Sequence, residues 1–198
     1  INFAAEKDHL YRVLDGIREF QRLHGSQSTK GYWTYATRLN DELSKKIARE
    51  IVSFAENYHA DVIVFEYLDM KSKKSGSKKQ KLHMWRKNGI QALVEHKAHR
   101  YGIRISRVCA KNTSKLAYDG SGEVVRDKKN HSLCTFSTGK QYNCDLSSSY
   151  DIGARYFIRE LLKSVSKKKL SLLWAEVPES GHRTTCTLST LWKIKDFL

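Results

Sequence analysis

Two carboxylates stand where chemistry could be done. Glu66 closes the β-branched run Val62-Ile63-Val64-Phe65, and Asp145 stands at the start of the helical run Asn143-Cys144-Asp145-Leu146-Ser147-Ser148-Ser149-Tyr150-Asp151-Ile152-Gly153-Ala154-Arg155-Tyr156. Carboxylate oxygens are hard ligands that suit Mg²⁺, and two such ions about 3.5–4 Å apart can activate a water and stabilise the leaving oxygen of a phosphodiester. The surrounding chain is basic, with 36 Lys and Arg against 21 Asp and Glu and a formal charge of +15. An acidic pair inside such a chain suits a protein that holds a polyanion and cuts it with metal ions. Each residue also has a plain structural reading. A lone Glu can mark where a strand meets water, and an Asp at a helix start is a favoured N-cap or lies just before it.

The 198 residues are enough for one domain with a real core, and the pI of about 9.7 favours an anionic partner. No apolar run reaches the ~18 residues of a spanning helix, and the N-terminus lacks the order of a signal peptide, so no membrane is expected and the cytoplasm is. Cys109, Cys134, Cys144 and Cys186 are irregularly spaced, which points to reduced thiols.

The elements that must position the carboxylates follow from periodicity. Leu10, Val13, Leu14, Ile17, Phe20 and Leu23 share one face of a helix over 6–24 that Gly25 stops. Leu39, Leu43, Ile47, Ile51, Phe54 and Tyr58 predict a second, longer helix. Residues 60–65 read as a strand buried on both faces, with Glu66 at its carboxyl end, where ligands gather in open α/β sheets. A cationic loop follows, carrying Lys71, Lys73, Lys74, Lys78, Lys79 and Lys81 around Gly76. A third helix over 85–100 buries Trp85, Ile90, Leu93 and Val94 and exposes Arg86, Lys87, Lys97 and Arg100. Residues 102–108 alternate as a strand. The order helix, helix, strand, helix, strand predicts an α/β sheet with crossover helices. Residues 111–142 read as loops and a small hairpin. A helix from about Leu146 turns Ile152, Tyr156, Ile158, Leu161 and Leu162 inward, and the segment after Leu173 shows no clear chemistry.

The strand ending in Phe-Glu, the basic segment, the next strand, the Thr-Ser excursion and the Asp-Leu-Ser-Ser-Ser-Tyr-Asp-Ile-Gly-Ala-Arg-Tyr run together resemble the RuvC-like nuclease domain of TnpB-type transposon proteins and type V CRISPR effectors, over about 40–165. The resemblance implies an RNase H-like (RuvC-type) mixed sheet flanked by helices. The core would span 1–110, a degenerate zinc-ribbon-like, target-nucleic-acid-binding insertion 111–142, the last catalytic helix 143–165 and a tail 166–198. It also implies that Glu66 and Asp145 are catalytic and hold two Mg²⁺. The implied partners are a guide RNA, a target DNA and the N-terminal remainder of the effector, with Lys71, Lys73, Lys74, Lys78, Lys79, Lys81, Arg86 and Lys87 gripping backbone phosphates. In that family the helix after the Asp typically reads Asp-x-Asn-Ala-Ala-x-Asn-Ile. Ser147, Ser148 and Ser149 stand here for Asn, Ala and Ala, and Asp151 for the second Asn.

Two departures shape the expectation. The family's first catalytic Asp lies on an opening strand, in a Gly-Ile-Asp-x-Gly type motif that does not occur here, so the chain is expected to lack the opening strands and to be the carboxyl-terminal part of an RNA-guided DNA endonuclease, its active site incomplete. The family's paired ribbon cysteines are reduced to Cys134, with Ala117, Gly120 and Ser137 at the other three places. One thiolate cannot make a tetrahedral site, so no zinc is expected. The alternatives are a catalytically inactive relative that keeps guided DNA binding, as a repressor or transposition-targeting factor, and a basic RNA- or ribosome-binding protein. If the cationic loop holds phosphates, replacing Lys73, Lys74, Lys78 and Lys79 by Ala flattens the dependence of log K on log salt by roughly 0.7–0.9 per lost contact. Titrations at several salt concentrations measure that slope, and an unchanged slope would leave the lysines merely solvated.

Overall fold

The computed structural model describes residues 3–25, 28–67 and 87–198. The chain divides into two compact units, Ile1–Ile63 with Lys71–Ile105, and Val64–Met70 with Ser106–Leu198. It is a mixed α/β structure with small sheets.

In the first unit the Leu10, Leu14 and Ile17 spacing builds α1 (Ala4–His24), which ends at Gly25 with φ 62°. α2 (Lys30–Asn57) is the expected longer helix; of its row of large residues it buries Leu43 and half-buries Leu39, Ile47 and Ile51, with small residues filling the rest of the inward face. Ala36, Asn40, Leu43, Ser44, Ala48, Val52 and Ala55 are inside, whereas Phe54 and Tyr58 are 56% and 72% exposed. Small side chains every three or four residues let α2 lie close against its neighbours, a geometry that a row of large side chains would prop open. Leu10, Leu14, Ile17 and Ala36 form the core between α1 and α2, with Val13, Trp33 and Leu39 packed against it.

The next elements follow the expected order: β1 (Val62–Tyr67), α3 (Lys87–Ala98) and β2 (Arg104–Cys109). Trp85, expected inside α3, lies outside the described residues. The Arg104 amide donates to the Asp61 carbonyl at 2.9 Å, so the two strands start side by side and run parallel. β1 is half-buried from Val62 to Glu66 rather than closed on both faces. In a sheet of two strands among the described residues, it keeps an open edge.

The second unit holds more structure than the expected hairpin. β3 (Val125–Arg126), β4 (Leu133–Thr135) and β5 (Gln141–Asn143) form an antiparallel ribbon, with Cys134 opposite both Arg126 and Tyr142. The ribbon feeds into α4 (Cys144–Lys163), followed by α5 (Lys167–Glu176) and α6 (Leu188–Phe197). Ala154, Ile158, Leu173, Val177, Cys186, Leu191 and Ile194 make one apolar cluster, so the segment after Leu173 supplies much of this core.

α4 corrects the apolar pattern read for it. Of the residues expected inside, only Ile158 is fully buried, and it is joined by Cys144, Ser147, Asp151, Ala154 and Arg155. The helix turns a polar stripe inward because the segment it meets is backbone with groups to satisfy. Arg159 donates to the Arg107 carbonyl at 3.1 Å and to Ser106 Oγ at 2.7 Å. Arg155 Nη1 donates to the carbonyls of Cys109 and Lys111 at 2.7 and 2.8 Å, Nε to Cys186 at 3.0 Å and Nη2 to Thr184 at 3.0 Å. Ser148 Oγ donates to the Thr113 carbonyl, and Ser147 Oγ accepts from the Tyr118 amide. Residues 106–118 therefore run antiparallel along α4. Replacing Arg155 by Met strands four carbonyls and removes the cation facing Asp151. The expected loss is roughly 3 kcal/mol or more of unfolding free energy, on the order of 10 °C in Tm, read by denaturant and thermal melts.

Candidate functional site

Glu66 and Asp145 both belong to the second unit. Glu66 is the penultimate residue of β1 and is half-buried. Asp145 lies in the first turn of α4, exposed to solvent. The capping role open to Asp145 is filled by another residue. Asn143 is the N-cap, its side chain accepting from the Asp145 and Leu146 amides at 3.0 and 2.9 Å. The helix thus begins at Cys144, two residues before the expected start, and the Asp145 carboxylate is not spent on backbone amides. What holds an acid in that turn is the partial positive charge of the helix start.

Among the described residues no three His, Cys, Asp or Glu side chains come together as a metal site. Glu66 and Asp145 offer hard oxygen donors of the kind Mg²⁺ takes, yet two carboxylates are a smaller set than a two-ion site needs. Of the expected phosphate-gripping residues, Lys71, Lys73, Lys74, Lys78, Lys79, Lys81 and Arg86 lie outside the described residues, and Lys87 opens α3. In the first unit an open cavity of about 560 Å³ is lined by Ala92, Glu95, His96, His99 and Arg100 and contains none of the expected site residues. No helix among the described residues is long and apolar enough to cross a membrane.

Ala117, Gly120, Cys134 and Ser137, the positions expected to stand for the ribbon cysteines, lie in or next to the three-stranded ribbon. Ala117 and Cys134 are fully buried in one cluster with Phe136 and Cys144. The Gly120 amide closes a tight turn on the Ala117 carbonyl at 3.0 Å, and Ser137 Oγ donates to the carbonyl of Ser121, next to Gly120. Burial and the neighbouring Cys144 thiol push Cys134 up to about 11, so it stays a neutral core group. Gly120 sits at φ 79°, and a Cβ there would come within 2.9 Å of Ser189 Oγ, so the ribbon presses directly on the start of α6.

A buried charged pair, Asp151 and Arg155, is not among the candidate site residues singled out by the sequence. Asp151 is wholly enclosed. Its Oδ1 accepts from the Leu188 amide at 3.0 Å, while Oδ2 has no hydrogen-bond partner among the described residues. Burial raises its carboxyl to about 7, against the pull of the Leu188 amide and the Arg155 cation. Arg155, one helical turn on, is drawn below its ordinary value by burial, with Asp151 opposing. The available signal was the four-residue spacing of an acid and a base within a run of small residues.

Comparisons with protein-family models and with curated proteins each find no match. Among solved structures, the fold is similar to that of a chain in the cryo-EM structure of a Cas12f1–sgRNA–target DNA complex, with a TM-score of 0.53 and 20% identity over 73% of this chain. This chain spans 41% of that one.

The pH dependence of stability tests the buried acid. Between its unfolded value of 3.8 and about 7 the native Asp151 keeps a proton that the unfolded chain has released, so its contribution is full below pH ~4 and is lost as pH rises to ~7. Asp151→Asn removes that decline. Unfolding of both proteins from pH 4 to 8 should give a difference that changes steadily through the window, and a flat difference would contradict the assignment.

Proposed function

We propose that this chain is part of an RNA-guided DNA endonuclease with an RNase H-like, RuvC-type nuclease domain. Support comes from two independent directions. The order and spacing of the Phe65-Glu66 strand end, the basic loop and the Asp145 helix resemble that family. The fold is similar to that of a chain solved with sgRNA and target DNA. The observation that carries the site assignment is that Asn143, not Asp145, caps α4, which leaves the Asp145 carboxylate at the helix start without a capping role.

In this reading Glu66 and Asp145 hold Mg²⁺, which supplies charge stabilisation and an acidified water for phosphodiester hydrolysis. The protein's own part is to hold the strand by its phosphates and to keep the two oxygen donors fixed, one at a strand end and one in a helix turn. The ribbon is proposed to work without zinc, supported by the buried neutral thiol of Cys134. A second reading, a catalytically inactive relative that retains guided binding, is favoured by the lack of a third metal-ligating side chain among the described residues.

The two readings separate in one experiment. The chain alone should show no robust cleavage. Joined to an upstream segment that supplies a third carboxylate, and given a guide, it should cut DNA in Mg²⁺. Glu66→Ala or Asp145→Ala should then abolish cutting while guided binding persists, because a carboxylate only repels a polyanion until metal is present. Cleavage unaffected by both substitutions would sink the site assignment, and guided binding without cleavage would establish the second reading. Elemental analysis of the same preparation should find no stoichiometric zinc.

A further inference from the structure

The ribbon carries a ring cluster whose inner members, Tyr118 and Tyr142, pack against its core and whose outer member, Tyr150, is exposed. Tyr118 lies at its centre, 5.2 Å from Tyr142 and 5.2 Å from Tyr150, with Tyr150 edge-on to it. Lys140 is exposed and sits with Nζ 5.0 Å from the centroids of both Tyr118 and Tyr142, donating to Tyr118 Oη at 2.6 Å. Tyr142 Oη and Tyr150 Oη are 3.5 Å apart. Tyr150 is the outermost ring, 37% exposed, and Leu146 stands exposed one turn before it on the same side of α4.

We propose that the Tyr118–Tyr142–Tyr150 cluster with Lys140 is a stacking surface for an unpaired base of a single-stranded nucleic acid, the Lys140 ammonium meeting an adjacent phosphate. It rests on the nucleic-acid reading above and gives that reading a second contact.

Three features favour this occupant. An aromatic face accepts any base, and a cation already lodged across two rings offers charge where a backbone phosphate would follow. The segment 111–143 carries six Lys and Arg against three Asp and Glu, a balance that attracts an anionic chain. The rings also restrain one another, so little freedom is lost when a base lands on Tyr150. The surface is one for holding a strand, not for reacting with it. Five residues of helix turn Tyr150 about 140° around the axis from Asp145.

The test uses the whole chain and two labelled probes, an oligothymidine and an abasic oligomer with the same number of phosphates, plus oligouridine to learn which sugar is preferred. Tyr150→Ala should weaken oligothymidine binding by at least about fivefold, the lower end of what one base–aromatic stack contributes, and leave the abasic oligomer unaffected. Tyr150→Phe, which keeps the ring, should bind like the parent. Lys140→Ala should weaken both probes. An equal effect of Tyr150→Ala on both probes, or none on either, overturns the stacking surface while leaving the functional reading in place. A change in oligomeric state of Tyr150→Ala, seen by sedimentation, with base binding intact, would make this face a protein contact and overturns it as well. A parent chain that binds no single strand overturns both readings together.

Discussion

A buried guanidinium imposes the strictest condition on the second unit. Arg155 is 5% exposed, and every N–H it turns inward must find an oxygen or cost stability. It finds four backbone carbonyls, one on the last residue of β2, one just past it and two in the connection before α6. Three of those carbonyls lie on chain outside any strand or helix. One side chain therefore fixes where two loops can run relative to α4, and their other contacts are built around that choice. Lys could not replace it, since an ammonium has three donors and no fork.

Asp151 extends the same logic to α6. The first four amides of any helix lack partners within it. In α6 each has one: the Thr187 amide donates to Thr190 Oγ1, Leu188 to Asp151 Oδ1, Ser189 to the Tyr118 carbonyl and Thr190 to Thr187 Oγ1. Two are met by the helix's own capping pair, one by α4 and one by the ribbon. The helix start is thus pinned to the same α4 stripe that carries Arg155, and to the ribbon residue at the centre of the ring cluster. Ribbon, α4 and α6 are joined by these hydrogen bonds, and Asp145 lies in the first turn of the helix that links them.

Much of this order was legible in the sequence and some of it could not be. Leu10, Leu14 and Ile17 repeat at a helical period, so α1 and its stop at Gly25 could be read directly. The strand before Glu66 and the one after Gly102 announced themselves by β-branched content and alternation. α2 could also be read from its period, which reports the large apolar residues but not the small ones, such as Ala36, Ala48 and Ala55, that fill the rest of its inward face. α4 misled in its buried face. Its buried stripe is polar, and polar residues read as surface until the partners that satisfy them, carbonyls 40 or more positions away for Cys109 and Lys111, are known. Asp145 was legible as a candidate, but its ambiguity with an N-cap lay in which of two neighbours, Asn143 or Asp145, would point at the free amides. That choice depends on where β5 ends and the helix starts, a boundary that composition does not define.

The ribbon is held by backbone turns and apolar packing. Two turns are closed by their own backbone, Gly120 onto Ala117 and Gly139 onto Phe136, and Ala117, Cys134, Phe136 and Cys144 pack together as its core. Side chains of this size bring the turns together without charge, and the Cys134 thiol is held neutral by the burial that makes it useful as filler. The Asp127 side chain accepts from the Lys129 and Asn130 amides and shapes the loop between β3 and β4. On the outer side Tyr118 and Tyr142 pack on each other and on Tyr150, which gives the ribbon an aromatic surface joined to the first turns of α4.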